Sequence, residues 1–72
     1  METIEFQLTS EFIELIKLLK LLGICESGAD AKLMVEEGSI SYNNEVEYRK
    51  RKKLRKGDLI IIPEQNTQIK IV

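Results

Sequence analysis

Apolar positions change their spacing several times along the chain, and each change marks an element. In "TIEFQL", Ile4, Phe6 and Leu8 share one parity while Thr3, Glu5 and Gln7 share the other. That period of two predicts a short half-buried strand. From Glu11 to Leu22 the spacing becomes helical, with Phe12, Leu15, Ile16, Leu19 and Leu22 on one face. Glu14, Lys17 and Lys20 run down the opposite side. Thr9 or Ser10 offers a capping hydroxyl, Glu11 suits the first turn, and Gly23 stops the helix. Ile13, Leu18 and Leu21 fall outside the main apolar face, and their exposure would create an apolar docking patch.

A second helix is predicted over residues 28–37. Ser27 with Asp30 resembles a capping box, with Asp for the usual Glu. Ala31, Met34 and Val35 share a face, and Gly38 ends the helix. So few residues join the two helices that they should pack as neighbours. "SISYNNEVEY" then predicts a hairpin: Ile40 and Tyr42 alternate, as do Val46 and Tyr48. Asn43-Asn44 supplies the positive φ angles of a tight primed turn. "KGD" at 56–58 is a turn, "LIII" at 59–62 a buried strand stopped by Pro63, "EQNT" a turn and "QIKIV" a closing strand. A strand, two helices and then several strands argue a small α+β fold. Seventy-two residues make one domain, 1–72, without internal repeats.

Charge adds a feature that the hydrophobic pattern does not show. The formal net charge is −1, yet seven of the eleven Lys plus Arg residues lie between Arg49 and Lys56, as "RKRKKLRK". The rest of the chain holds only Lys17, Lys20, Lys32 and Lys70 against twelve acidic groups. A like-charge block is often a solvated or disordered stretch. This one lies inside the domain, is interrupted by Leu54 and is closed by Gly57-Asp58. Like charges between two anchors repel one another, and an anionic ligand relieves that repulsion. Lys17 and Lys20 lie on neighbouring turns of one helix face, and Lys32 sits one turn into the second helix. Each alone is a surface lysine, and only convergence with the basic run would make them part of a site.

The composition narrows the chemistry. The chain has no His, which removes His-based triads, His general bases and His metal ligands. Cys25 is the sole cysteine, so no internal disulfide forms, which fits a reducing compartment. Without His it is expected to be a structural turn thiol, and one Cys excludes the usual zinc sites. The four glycines make no phosphate-cradling loop, and Glu36-Glu37 is expected to be a solvated helix end. The longest apolar run, Leu59 to Ile62, is far shorter than the roughly 20 residues a bilayer span needs. The N-terminal residues lack the pattern of a signal peptide. A cytoplasmic protein with no cofactor, no metal and no catalytic residues is expected.

"ESGADAKLMVEEGSISYNN" resembles the core signature of the RNA-binding domain first seen in ribosomal protein S-four, the alpha-L motif. Ser27, Ala31-Lys32, Met34-Val35, Gly38, Ile40 and Tyr42-Asn43-Asn44 occupy the positions of that pattern. The upstream "LLKLLGICESG" and downstream "RKRKKLRKGD" are similar to one branch, the free-standing small bacterial proteins of the YbcJ type. The resemblance spans about residues 10–62. Lys32 stands where many members have Arg, so a planar bidentate grip on phosphate is replaced by a point charge. Asn44 replaces the turn Gly and tolerates the same backbone. Tyr42 replaces an aliphatic residue, as either core or a stacking face.

The resemblance implies two helices packed on a small, bent, mostly antiparallel sheet, with RNA along the helix pair and adjoining loop. The implied surface comprises Lys17, Lys20, Ser27, Lys32, Arg49, Lys50, Arg51, Lys52, Lys53, Arg55 and Lys56. Lysine contacts to phosphate would position structured RNA, ribosomal or transfer RNA, without reading its sequence. Few aromatic residues leave little scope for base stacking. Two other readings stay open: an adaptor whose basic surface docks an acidic protein partner, and general DNA binding.

Overall fold

The apolar run at 59–62 becomes the middle of the molecule's main sheet. The computed structural model describes Met1–Val72. Its elements are β1 (Glu2–Phe6), β2 (Ile13–Glu14), α1 (Leu15–Leu21), α2 (Gly28–Glu36), β3 (Ser41–Tyr42), β4 (Glu45–Val46), β5 (Lys53–Leu54), β6 (Leu59–Ile62) and β7 (Thr67–Ile71). The five-stranded sheet runs β1-β7-β6-β3-β4, and β2 and β5 form a separate pair. Only β1 and β7 are parallel, Glu2 opposite Thr67 through Phe6 opposite Ile71, so the sheet is mixed.

In β6, Ile60 and Ile62 are fully buried while Leu59 and Ile61 are half-buried. Ile60 lies opposite Tyr42 on one side and Ile69 on the other. Pro63 starts a single 3-10 turn to Gln65, which Asn66 ends at φ 51°. The hairpin turn forms as expected, with Asn43 at φ 48° and Asn44 at φ 74°. The Asn43 amide carbonyl also accepts from the Leu59 N–H at 2.8 Å, tying the turn to the start of β6. The second hairpin strand is shorter than the alternation predicts. It ends at Val46, and Tyr48 leaves the sheet to lie against Gly38.

The first helix departs most from expectation. It begins at Leu15, not Glu11, and the Ser10 hydroxyl donates to the Phe12 carbonyl at 2.9 Å instead of capping it. Ile13 and Glu14 are taken by an antiparallel pairing with Leu54 and Lys53. The Leu15 N–H then donates to the Lys52 carbonyl at 2.9 Å, and the Ile16 N–H to the Lys50 carbonyl at 3.1 Å. Free amides of a helix start thus find acceptors in a distant segment, which local periodicity does not encode.

The inward face of α1 differs as well. Leu15, Leu18 and Leu19 are fully buried and Ile13 is buried just before the helix, so of the three residues outside the predicted face only Leu21 is exposed. In α2, the Ser27 hydroxyl accepts from the Asp30 N–H at 3.2 Å, as the capping pattern predicts. Ala31 and Val35 are buried in the common core beside α1, and Met34 is half-buried. Cys25 is buried with its thiol 3.9 Å from the Met34 sulfur. Burial, helped by the Asp30 charge, pushes that thiol above its usual range.

Candidate functional site

The basic segment is an ordered loop, folded twice. A first turn at Lys50-Arg51 is closed by the Lys52 N–H donating to the Arg49 carbonyl at 3.1 Å. A second turn is closed by Asp58, whose carboxylate accepts from the Arg55 N–H at 2.8 Å. Between the turns Leu54 points inward and is fully buried. Together with the carbonyls of Lys50 and Lys52 on the start of α1, these contacts fix the loop's backbone to that helix.

The seven cations of this loop are not equivalent. Arg49 forms a two-pronged ion pair with Glu47, Nε to Oε2 at 2.9 Å and Nη2 to Oε1 at 3.0 Å. The Arg49 N–H also donates to the same carboxylate at 3.0 Å. Glu47 is buried, and its hydrogen bonds from Arg49 hold its carboxyl below the usual range against the opposing effect of burial. Arg49 is therefore part of the structure as well as of the surface that the resemblance implies. Lys52 Nζ lies 4.9 Å from the Tyr42 ring centroid. Lys53 Nζ and the Arg55 guanidinium carbon lie 4.8 and 5.7 Å from the Phe12 centroid. Lys50, Arg51 and Lys56 make no ion pair. Arg49, Arg51, Lys52 and Lys53 together line a shallow, wholly basic groove.

Lys17 and Lys20 line a second groove with Glu14, Ile16, Leu21 and Gly28, between α1 and the start of α2. A Cβ added at Gly28, the first residue of α2, would lie 4.0 Å from Lys20 Cδ. Ile16 joins this groove to the loop, because its N–H is bonded to Lys50. Lys17 also lines a third groove with Phe12, the residue that carries Lys53 and Arg55. Glu11 and Glu14 line the same grooves, so the surface is not uniformly positive. Lys32 is exposed one helical turn beyond Gly28 on the same face of α2, and lines none of the three grooves. Ser27 sits beside Gly28 with its oxygen engaged in the helix cap.

Sequence reasoning missed Glu47 and Phe12. Glu47 and Arg49 are two apart on extended chain and so share a side, a signal present in "EYR". Phe12 had no such signal, since its role depends on a pairing across the fold. Tyr42 is half-buried against the core with Lys52 over its ring, so it packs and seats a cation together. Burial first, then Asp58, pushes its phenol above the usual range. No group of three or more His, Cys, Asp or Glu side chains is placed to hold a metal ion. No helix is long and apolar enough to cross a membrane.

Comparison with known proteins identifies the family and the fold. Residues 6–71 match the family described as the S4 domain. YbcJ of Escherichia coli (strain K12) is 40% identical over 57 residues, which cover 79% of this chain and 81% of the relative. YbcJ of Shigella flexneri matches over the same length at the same identity. The solution structure of the Escherichia coli protein, described as revealing an alphaL motif involved in RNA-binding, superposes with a TM-score of 0.62 at 36% identity. That superposition covers 97% of this chain and 87% of the other.

Proposed function

Because the chain belongs to the S4 domain family, we propose that it is a non-catalytic RNA-binding protein that holds structured RNA, ribosomal or transfer RNA, on the surface formed by its basic loop and helix pair. The observation that carries this reading is the fixing of the loop to α1 through the Leu15 and Ile16 amides. It holds the loop against the helix that carries Lys17 and Lys20. The solved relative described as involved in RNA-binding shares this fold. Phosphate contacts from such cations give affinity and register without sequence readout. Structured RNA is recognised mainly by shape and backbone, and the grooves beside α1 would supply the complementary shape.

With about three to five phosphates neutralised, log affinity should fall with log salt at a slope of about −2 to −4. Filter binding to transfer RNA and to ribosomal RNA fragments over a salt series measures it. A salt-independent affinity would sink the electrostatic mechanism. Competition by duplex DNA at equal phosphate concentration separates structured RNA from general nucleic-acid binding, and a duplex that competes as well as RNA removes the preference. The protein-adaptor reading gains nothing from α1, where the expected apolar patch reduces to Leu21.

A further inference from the structure

We infer that Phe12 is a positioning residue for phosphate binding, its ring holding Lys53 and Arg55 as a preset pair of cations. The inference rests on the RNA-binding reading and adds a residue that reading does not require. Its basis is the register of the small β2–β5 pair. Ile13 lies opposite Leu54 and Glu14 opposite Lys53. One step further along the same antiparallel register, Phe12 faces Arg55, with Lys53 its diagonal neighbour. Ile13 and Leu54 both point inward and are buried, so their chain neighbours Phe12, Lys53 and Arg55 project to the other side. The cation-to-centroid distances of 4.8 and 5.7 Å agree with that placement, and a ring face attracts both charges.

An unrestrained lysine or arginine loses rotamer freedom when it grips a phosphate. Seated on an aromatic face, Lys53 and Arg55 have lost part of that freedom before the ligand arrives. Phe12 also lines a groove with Lys17.

Two variants and two probes test this. In the free protein, NMR should show ring-current upfield shifts for the Lys53 Hε and Arg55 Hδ protons, kept in Phe12→Tyr and lost in Phe12→Leu. Phe12→Leu should bind transfer RNA and inorganic polyphosphate about 5- to 30-fold more weakly, as expected when two side chains must be ordered on binding. Phe12→Tyr should stay within about 2-fold of wild type, since the ring face is retained. The salt slope of Phe12→Leu should match wild type while Lys53→Gln lowers it by about 1, because only the latter removes a phosphate contact. Wild-type protein without the ring-current shifts overturns the inference, whether or not Phe12→Leu folds well. So does a Phe12→Leu form that binds both probes as tightly as wild type, and that result leaves the RNA reading intact. Wild type that binds polyphosphate but no structured RNA overturns the RNA reading, while weaker polyphosphate binding by Phe12→Leu still supports the role of Phe12.

Discussion

Gly38 is held in place by two separate constraints. Its φ of +79° disfavours any L side chain, and a Cβ there would lie 3.2 Å from the Tyr48 ring. Gly23 at the end of α1 has the first constraint at φ +73° and nothing within 4 Å for the second. Gly23→Ala is thus expected to cost about 1 kcal/mol, the left-handed backbone penalty alone. Gly38→Ala should cost about 2 kcal/mol, because the Tyr48 ring must also shift. Urea unfolding measures both. In a Tyr48→Ala background the Gly38→Ala cost should fall to the Gly23→Ala value. Both glycines were legible in the sequence as helix stops, whereas the ring over Gly38 was not, because alternation in "EVEY" placed Tyr48 in a strand. Glu47 carries a pH signature. Its folded-state pKa lies below the ordinary 4.5, so the unfolded chain takes up the proton first as pH falls. The stabilisation from the Arg49 pair is present above about pH 4.5 and is lost as pH drops through the lower folded-state value. Wild-type stability should therefore fall more steeply below pH 4.5 than that of Glu47→Gln, as read by unfolding curves across pH. Parallel curves would remove the pair as the cause.

At the level of elements, the basic loop and the first helix form one unit. The loop's carbonyls complete the start of α1, and Leu54 enters the core among Ile13, Leu15 and their neighbours. Leu54→Ala should therefore cost about 2–5 kcal/mol, the range for truncating a fully buried leucine. It should also accelerate hydrogen exchange at the Leu15 and Ile16 amides, which lose their acceptors when the loop lifts. Exchange at those amides unchanged from wild type would show that the loop is held elsewhere. Helical spacing in "EFIELIKLLKLL" predicted the helix and the inward Leu15 and Leu19, but left the fully buried Leu18 outside the face. It did not predict the start, because apolar residues at helical spacing are equally able to pair in a two-residue ladder when a partner strand arrives from forty residues away. The second helix, with its cap and stop both local, was legible almost to the residue. So was the primed turn at Asn43-Asn44.

Across the whole molecule, what matters is where the positive charge sits and not its total. Arg51 lines the basic groove without an ion-pair partner. Lys70 is exposed on β7, opposite Glu5 of β1 in the sheet register, and lines no groove. Arg51→Glu and Lys70→Glu change the net charge equally. At about 0.1 M salt the first should weaken RNA binding about 10-fold and the second less than about 2-fold, because screening confines the effect to near neighbours. Equal losses in a binding titration would mean that net charge alone governs association. The concentration of charge was plain in the sequence. Its attachment to the helices was not, since it depends on backbone hydrogen bonds that no side-chain pattern records. The parallel pairing of β1 with β7 was equally hidden, because alternation shows a strand but not its partner. That pairing has a consequence for how the chain assembles. The helices, the β2–β5 pair and the loop between hairpin and core draw only on residues up to Asp58, although that pair already joins stretches about forty residues apart. β7 lies between β1 and β6, and the Gln68 side chain reaches Thr3 across 65 residues, donating at 2.8 Å. Closing so long a loop is slow compared with forming local contacts. On a chain emerging from its N-terminal end, both helices and the basic loop are therefore present before β7, and the strand that locks the sheet behind them is the last to arrive.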